Sequence, residues 1–189
     1  FDREPARPSR GLSRLARQLF DRGAGLGGAE RRLRQGVAAL AICLLLPAPP
    51  DDIAALPLLG VKLAPVVARD HPLARLDRPI TRADLEPHVQ LVLSDPIDTT
   101  GPAYGLASAR LWRFVDLQRR RDMLLAGFGW CRMPEHLISQ PLAEGRLLRL
   151  EMADDDARED LTIYAAHMRD RPLGPAGRWL LNDLKLRLI

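Results

Sequence analysis

The chain has 189 residues, of which 47% are hydrophobic and 28% charged, with a formal net charge of +4. This length allows one domain or two small lobes. No apolar run approaches the roughly 20 residues that a membrane-spanning helix needs, so we expect no transmembrane segment. The N-terminal residues also lack the charged-then-apolar pattern of a secretion signal, and a cytoplasmic location is therefore expected.

The positive charge is concentrated at the N-terminus. Residues 1–36 carry an excess of five positive charges, whereas residues 37–189 carry one excess negative charge. The basic segment lacks the interleaved aromatic residues that often accompany nucleic-acid binding. We interpret its arginines as a solvated surface and expect no sequence-specific binding of duplex DNA by this chain.

Leucines recur every seven residues in the N-terminal segment, at Leu12, Leu19, Leu26 and Leu33. This period is typical of a helix whose narrow apolar seam packs on another helix. Because glycines cluster between residues 23 and 28, and each weakens a helix, we predict two helical pieces, at 11–22 and 28–35. A chance spacing on a surface helix is the alternative.

Two apolar runs follow. Residues 37–46 are continuously apolar between a glycine and a proline, which predicts a strand buried on both faces. Residues 47–52 form a stiff connector rich in proline. Residues 61–68 predict a second strand, which Pro65 would place near a sheet edge or bulge.

A short helix and a third strand come next. Thr81 and Asp84 have the spacing of a capping box, which predicts a helix that starts between them. Alternating apolar residues at Val89, Leu91 and Leu93 predict a strand that ends at Ser94.

The stretch from Phe114 to Leu150 has the pattern strand, helix, strand, helix, strand. The first strand is predicted at 114–117. Gly127 and Gly129 bracket the start of the second strand, and Pro134 suits the first position of the next helix. Such a βαβαβ unit implies a parallel sheet.

The C-terminal residues predict one more strand and helix. Leu161 to Met168 reads as a strand, and a helix is expected from Pro172 onwards. Its apolar residues recur at helical spacing, so we expect four leucines to be buried, Leu180, Leu181, Leu184 and Leu188.

The candidate ligand-binding residues follow the third strand. Ser94, Asp95, Thr99 and Thr100 offer hydroxyl and carboxylate groups at the carboxyl end of that strand, where ligands of parallel α/β sheets bind. The alternative is that these residues serve turn and cap geometry.

The search for catalytic or metal-binding motifs gives little. The four histidines are scattered, none at i, i+4 spacing with a second ligand, and no P-loop, nucleophile elbow or Gly-x-Gly-x-x-Gly motif occurs. A Ser94–His–Asp arrangement stays open. Cys43 and Cys131 lie within apolar runs and are expected to be buried thiols. We therefore expect no enzyme, no metal and no cofactor.

Residues 57–189 resemble the C-terminal part of the effector-binding (substrate-binding) domain of LysR-type transcriptional regulators. Four segments carry the resemblance in the right order and spacing: 66–74 (VVARDHPLA), 124–134 (LLAGFGWCRMP), 142–147 (LAEGRL) and 172–180 (PLGPAGRWL). The resemblance implies a type II periplasmic-binding-protein-like α/β fold, with two lobes of parallel or mixed sheet and an effector cleft between them.

The resemblance also implies a division of the chain. Residues 1–36 resemble a linker and dimerisation helix, and 37–189 the effector-binding domain. Its second lobe would cover about 60–150, and residues 160–189 would return to the first lobe. Residues 32–36 fit either the linker or a late first-lobe segment. The first lobe is expected to be incomplete, and no winged helix-turn-helix is found in the chain.

The function implied is that of an effector-sensing regulatory domain that binds a small polar or carboxylate ligand. The implied partners are a second or further copies of the chain, as a homodimer or homotetramer, and DNA only through a winged helix-turn-helix. Ser94, Asp95, Thr99 and Thr100 would line the effector site, and Trp130 would form an apolar wall. A buried core position for Trp130 is the alternative. The competing functions are a solute-binding protein of the same fold and a degenerate fragment that binds nothing.

Overall fold

A computed structural model describes residues 27–95, 105–153 and 160–186 of the chain. The chain divides into two compact units, one formed by Phe1–Gly60 with Thr162–Ile189 and the other by Val61–Leu161. A long strand, β2 (Ile53–Ala68), contributes residues to both units. Helices and strands occur in both units, and the sheet pairings are both parallel and antiparallel, so the fold is mixed α/β.

The first unit contains helix α1 (Gly28–Arg34), strands β1 (Ala41–Leu44) and β7 (Asp160–Met168), and the C-terminal helix α5 (Pro175–Leu186). β1 pairs antiparallel with β7, and β7 pairs with β2. One part of the core is formed by five buried residues, Leu33, Leu45, Ile53, Ala166 and Met168. A second cluster forms where α5 packs, around Leu58, Ala165 and Leu184.

The strand predicted at residues 37–46 is shorter and less buried than expected. It comprises only Ala41–Leu44, and all four of its residues are half-buried. β1 lies at the end of the strand order, with β7 as its neighbour. Because side chains on both faces of β1 are only half-buried, the prediction of a strand buried on both faces was wrong. Val37 is 72% exposed.

Helix α5 buries less of its apolar surface than predicted. Leu184 is buried and Leu181 is half-buried, but Leu180 is exposed. Leu188 lies outside the described residues. The helix begins at Pro175, and the side chain of Leu173, which precedes it, packs against Gly177 in its first turn. A Cβ atom at residue 177 would lie 3.2 Å from a methyl carbon of Leu173. Only a narrow face of the helix is therefore covered.

The second unit holds the other end of β2 and the strands β3 (Gln90–Leu93), β4 (Leu111–Phe114), β5 (Trp130–Pro134) and β6 (Leu147–Arg149). The strand order is β2-β5-β3-β4, and β6 pairs with β2. β3 runs parallel to β4 and β5, whereas β2 runs antiparallel to β5 and β6. The βαβαβ order is confirmed, and its three strands, β4, β5 and β6, run in the same direction as predicted. The sheet is mixed because β2 runs antiparallel to β5 and β6.

The described residues of this unit form three α-helices, α2 (Arg82–Leu85), α3 (Leu117–Leu125) and α4 (Glu135–Ala143), and a short 3-10 helix (Pro72–Arg75) whose N-cap is His71. The predicted capping box of α2 is confirmed, with the backbone N–H of Thr81 donating to the Asp84 carboxylate and Asp84 N–H donating to the Thr81 hydroxyl. The first strand of the βαβαβ unit ends at Phe114, three residues earlier than predicted. It does so because the Asp116 carboxylate caps α3 by accepting from Arg119 N at 2.8 Å.

Pro65 lies inside β2 and not at an edge or bulge. It stands opposite Arg132 of β5, and its carbonyl accepts from Leu150 N at 2.9 Å, one residue past the end of β6. In an antiparallel pair the N–H and C=O of one residue face the same neighbour. The missing N–H of Pro65 therefore faces Leu150, and only one bond is lost, at the end of the ladder.

Candidate functional site

The carboxyl ends of two parallel neighbours, β3 and β5, lie at the same edge of the second unit. Gln90 of β3 is aligned with Trp130 of β5, so Ser94 and Pro134 both follow towards this edge. Ligands of parallel α/β sheets bind outside the carboxyl ends of their strands. This edge is therefore the candidate binding site.

Ser94 is held firmly at this edge. It is 4% exposed, and its backbone N–H donates to the carbonyl of Phe114 at 2.8 Å. Its hydroxyl donates to the same carbonyl at 3.4 Å, so Ser94 ties the end of β3 to the end of β4. Asp95 is half-buried directly after it. Thr99 and Thr100 lie outside the described residues.

Trp130 lies at the other end of the strands. Its alignment with Gln90 puts it four residues from Ser94 along β3, about 13 Å at ~3.3 Å per residue. It is 1% exposed, and its indole N–H donates to the Ser108 hydroxyl at 3.0 Å, which in turn donates to the Leu85 carbonyl at 2.8 Å. The structure thus brings Ser94 and Asp95 together and places Trp130 in the core.

The start of α4 was not recognised in the sequence as part of the site. α4 follows the carboxyl end of β5 directly, and no side chain caps its first turn, where Pro134 occupies the N-cap position. The first N–H groups of a helix have no partner within the helix, and they attract negative charge. A Pro-Glu sequence without Ser, Thr, Asp or Asn before it is the signal that could have indicated an uncapped start.

Arg120 was also missed, because nothing in the charged run of α3 distinguishes a buried arginine from an exposed one. Arg120 is only 9% exposed. Its Nε donates to the carbonyl of Leu91 in β3 at 2.9 Å, and its Nη2 donates to the carbonyl of Arg132 in β5 at 2.8 Å. A positive charge therefore lies between the two strands that lead to the candidate site.

The other chemically active residues form no second site within the described parts of the chain. Residues 27–95, 105–153 and 160–186 contain no group of three or more His, Cys, Asp or Glu that could hold a metal ion. Both cysteines are free, and burial raises the pKa of the Cys43 thiol to about 11. The Ser94 hydroxyl bonds a backbone carbonyl. None of the helices in these ranges is long and apolar enough to cross a bilayer.

Comparisons with known proteins agree on one family. The family model described as the LysR substrate binding domain matches residues 24–188. The fold is similar to the effector-binding domain of QuiR in complex with shikimate, with a TM-score of 0.63, 22% identity, and coverage of 95% of this chain and 90% of that one. No curated protein sequence gives a significant match.

Two further structures share the fold. The regulatory domain of CcmR from Synechocystis PCC6803, in complex with 2-PG, has a TM-score of 0.62 and 16% identity, covering 93% of this chain and 90% of that one. The oxidised form of OxyR has a TM-score of 0.63 and 20% identity, covering 87% of this chain and 79% of that one. At these identities the likeness establishes the fold, which is of the periplasmic-binding-protein-like type II class.

Proposed function

This chain belongs to the LysR substrate-binding domain family, and we propose that it is the effector-sensing regulatory domain of a LysR-type DNA-binding transcriptional regulator. The family match over residues 24–188 supports this proposal, as does the fold shared with effector-binding domains. In this role the domain performs no chemistry. A small molecule binds one conformation more tightly than another and shifts the population towards it.

We place the effector site at the carboxyl ends of β3 and β5. The observation that carries this proposal is the parallel alignment of the two strands, which puts buried Ser94 and the uncapped start of α4 at one edge. Ser94 and Asp95, with Thr99 and Thr100, provide the polar lining, and the positive end of the α4 helix dipole favours a carboxylate.

Trp130 has an indirect role in this proposal. It lies in the core and holds Ser108, which bonds the Leu85 carbonyl. The backbone N–H of Trp130 also donates to the Val89 carbonyl at 3.0 Å. A Trp130 side chain held in the core therefore helps to keep β5 aligned with β3. The strand that leads to the site is thereby held in place.

The ligands of two structural neighbours suggest the ligand class. QuiR is bound to shikimate and CcmR to 2-PG. Shikimate is a small polyhydroxylated carboxylic acid, and hydroxyl acceptors with helix N–H donors suit such a molecule. A small polar or carboxylate effector is therefore the class that we propose for this chain.

The signal would reach DNA through assembly. We propose that residues 1–36 form the linker and dimerisation region, that the chain works as a homodimer or homotetramer, and that DNA is bound only through a winged helix-turn-helix of the full regulator. Binding of effector and of DNA are then coupled through two states of the assembly. Such a regulator acts where the DNA is, in the cytoplasm.

A thermal-shift screen of small organic acids, including shikimate, tests the proposal. A ligand at 100 times its Kd stabilises the folded chain by about 2.7 kcal/mol, which gives a readily measured rise in Tm. The double variant Ser94→Ala with Thr100→Val should lose the shift while its unliganded Tm stays close to wild type. Ser139→Ala, which removes an exposed hydroxyl on α4, is the control and should keep the shift.

Two results would contradict the proposal. If no small molecule of the screen stabilises the wild-type chain, effector sensing is not its function. If ligands stabilise the double variant as much as the wild type, the chain senses a ligand but the site lies elsewhere.

A further inference from the structure

Arg120 lies on the core-facing side of α3. The buried residues of this helix are Leu117, Arg120 and Leu124, which follow one another at i, i+3 and i+7. These positions form a single face of a helix and normally hold apolar side chains. A guanidinium at the centre of this face is directed into the sheet and not into solvent.

The Arg120 guanidinium replaces two backbone hydrogen bonds that would otherwise join β3 to β5. β3 and β5 have a single aligned pair, Gln90 with Trp130, in which Trp130 N donates to the Val89 carbonyl. If the parallel ladder continued, the Leu91 carbonyl would accept from Arg132 N, and the Arg132 carbonyl would accept from Leu93 N. Both carbonyls instead accept from Arg120, through Nε at 2.9 Å and Nη2 at 2.8 Å.

The two strands therefore part beyond Gln90 and Trp130, on the side that leads to Ser94. Buried carbonyls left without donors destabilise the folded state. Arg120 satisfies both of them while the strands stay apart, because its planar fork presents several donors in a fixed geometry. The opening between β3 and β5 is thus a stable feature of the second unit.

The charge of Arg120 is not neutralised by these bonds. Carbonyl oxygens are neutral acceptors, and within residues 27–95, 105–153 and 160–186 no carboxylate forms an ion pair with Arg120. Burial raises the pKa of the adjacent Cys131 thiol, although Arg120 acts in the opposite direction, so this thiol stays protonated and uncharged. A buried cation that no carboxylate in residues 27–95, 105–153 and 160–186 pairs with is costly, and an incoming anion reduces that cost.

We propose that Arg120 is the residue that selects an anionic effector: it parts β3 and β5, and its positive charge attracts the negative group of the ligand. This inference rests on the proposed effector site. Leu91, whose carbonyl Arg120 holds, is three residues before Ser94, which corresponds to about 10 Å along β3. A ligand whose anionic group lies at Ser94 and the start of α4 would therefore interact with the Arg120 charge over about 10 Å.

Isothermal titration and two-dimensional NMR of the wild-type chain test the inference with defined probes. The probes are inorganic phosphate and two carboxylate–amide pairs, benzoate with benzamide and acetate with acetamide. The amides keep the shape of the acids without their charge. We expect the anions, and not the amides, to bind and to shift the Nε–H resonance of Arg120.

Variants separate the charge from the fold. Arg120→Met should weaken anion binding at least about tenfold, as expected when one unit charge is removed at ~10 Å and an effective dielectric constant of about 20. Arg120→Lys keeps the charge and should retain most of the affinity. Arg119→Met removes the same charge from an exposed position of the same helix and should leave binding unchanged. If Arg120→Met does not fold, Arg120→Gln replaces it as the neutral variant.

The outcomes are distinct for the two proposals. If amides bind as tightly as the acids, or anions bind the neutral Arg120 variant as tightly as the wild type, the inference fails while effector sensing stands. If phosphate and carboxylates bind through Arg120 but no member of the small-molecule screen raises Tm in a manner that depends on Ser94, the inference holds and the proposed function fails. If none of the anions binds the wild-type chain, Arg120 is structural only and the inference is overturned.

Discussion

Gly129 passes so close to Val89 that a Cβ atom at residue 129 would lie 2.3 Å from the Val89 carbonyl oxygen. The same carbonyl accepts the Trp130 N–H at 3.0 Å, which is part of the single aligned pair between β3 and β5. The missing side chain of Gly129 is thus what allows these two strands to meet before Arg120 parts them.

Gly129→Ala should therefore destabilise the chain strongly. The new methyl group meets backbone atoms that cannot move without loss of the strand pair, and overpacking of this kind costs about 1–3 kcal/mol or more. Gly60→Ala is the control, because its Cβ meets no atom within 4 Å. Urea unfolding should show Gly60→Ala unchanged or up to about 1 kcal/mol more stable. Equal stabilities for the two variants would contradict the close approach.

Ser108→Ala should cost about 2 kcal/mol, because it leaves the buried Trp130 indole N–H without its acceptor and the Leu85 carbonyl without its donor. Ser139→Ala removes an exposed hydroxyl and should change the free energy of unfolding by less than about 0.5 kcal/mol. Urea denaturation of both variants provides the comparison. A Ser108→Ala chain as stable as the Ser139→Ala chain would show that the Ser108 bonds do not hold the core together.

His71 should make stability fall as the pH is lowered. Its burial, and to a smaller extent the nearby His88 ring at 4.9 Å between centroids, lowers the pKa of His71 from 6.5 to about 4. Between these two values the unfolded chain binds a proton that the folded chain does not. The contribution of His71 is therefore fully present above pH 6.5 and declines towards pH 4.

His71→Asn tests this dependence. The His71 ring nitrogen Nδ1 accepts from Leu73 N at 3.2 Å, and asparagine also provides an acceptor at a helix N-cap. Urea titrations at a series of pH values should show a smaller loss of stability in His71→Asn than in the wild type as the pH falls. His88→Gln removes only the smaller cause, so most of the wild-type slope should remain. If the free energy of unfolding of His71→Asn fell with pH as steeply as that of the wild type, the pH dependence would be due to other groups.

Leu19→Asp tests assembly through the N-terminal heptads. A carboxylate in the apolar seam would be buried against the partner helix, so the variant should dissociate to monomers while the wild-type chain is a dimer in analytical ultracentrifugation. Arg17→Asp, at an outward position of the same heptad, should leave the dimer intact. A wild-type monomer, or a dimer that persists in Leu19→Asp, would overturn the seam.

Local signals in the sequence were sufficient for much of the second unit. The capping box of Thr81 and Asp84 and the glycines before Trp130 specify helix and strand starts through local geometry, and both lie where they were predicted. Whether a strand lies at the edge or in the centre of a sheet, in contrast, depends on which strands become its neighbours. Residues 37–46 and Pro65 were misjudged for that reason, since neither apolar content nor a single proline identifies the neighbouring strand.

Part of the candidate site could also be predicted. The position of Ser94 at the end of β3 follows from alternation and turn residues. The distance between Ser94 and Trp130 depends on the alignment of two parallel strands, which no local pattern encodes. Burial of single residues is equally hard to predict, because tertiary contacts decide it. Leu33, part of the leucine heptad, packs in the core of its own unit. Arg120, which lies in a charged run, is also buried.

The central claim, that a small anionic effector binds at the carboxyl ends of β3 and β5, is tested most directly by NMR mapping. The isotope-labelled chain is titrated with the organic acid that gives the largest thermal shift, and the backbone amides are followed. The account predicts that the largest changes occur at Ser94, Asp95, Glu135 and His136 and at the Arg120 guanidinium. Unchanged signals at these residues, with the largest changes around exposed Trp179 on α5, would contradict it.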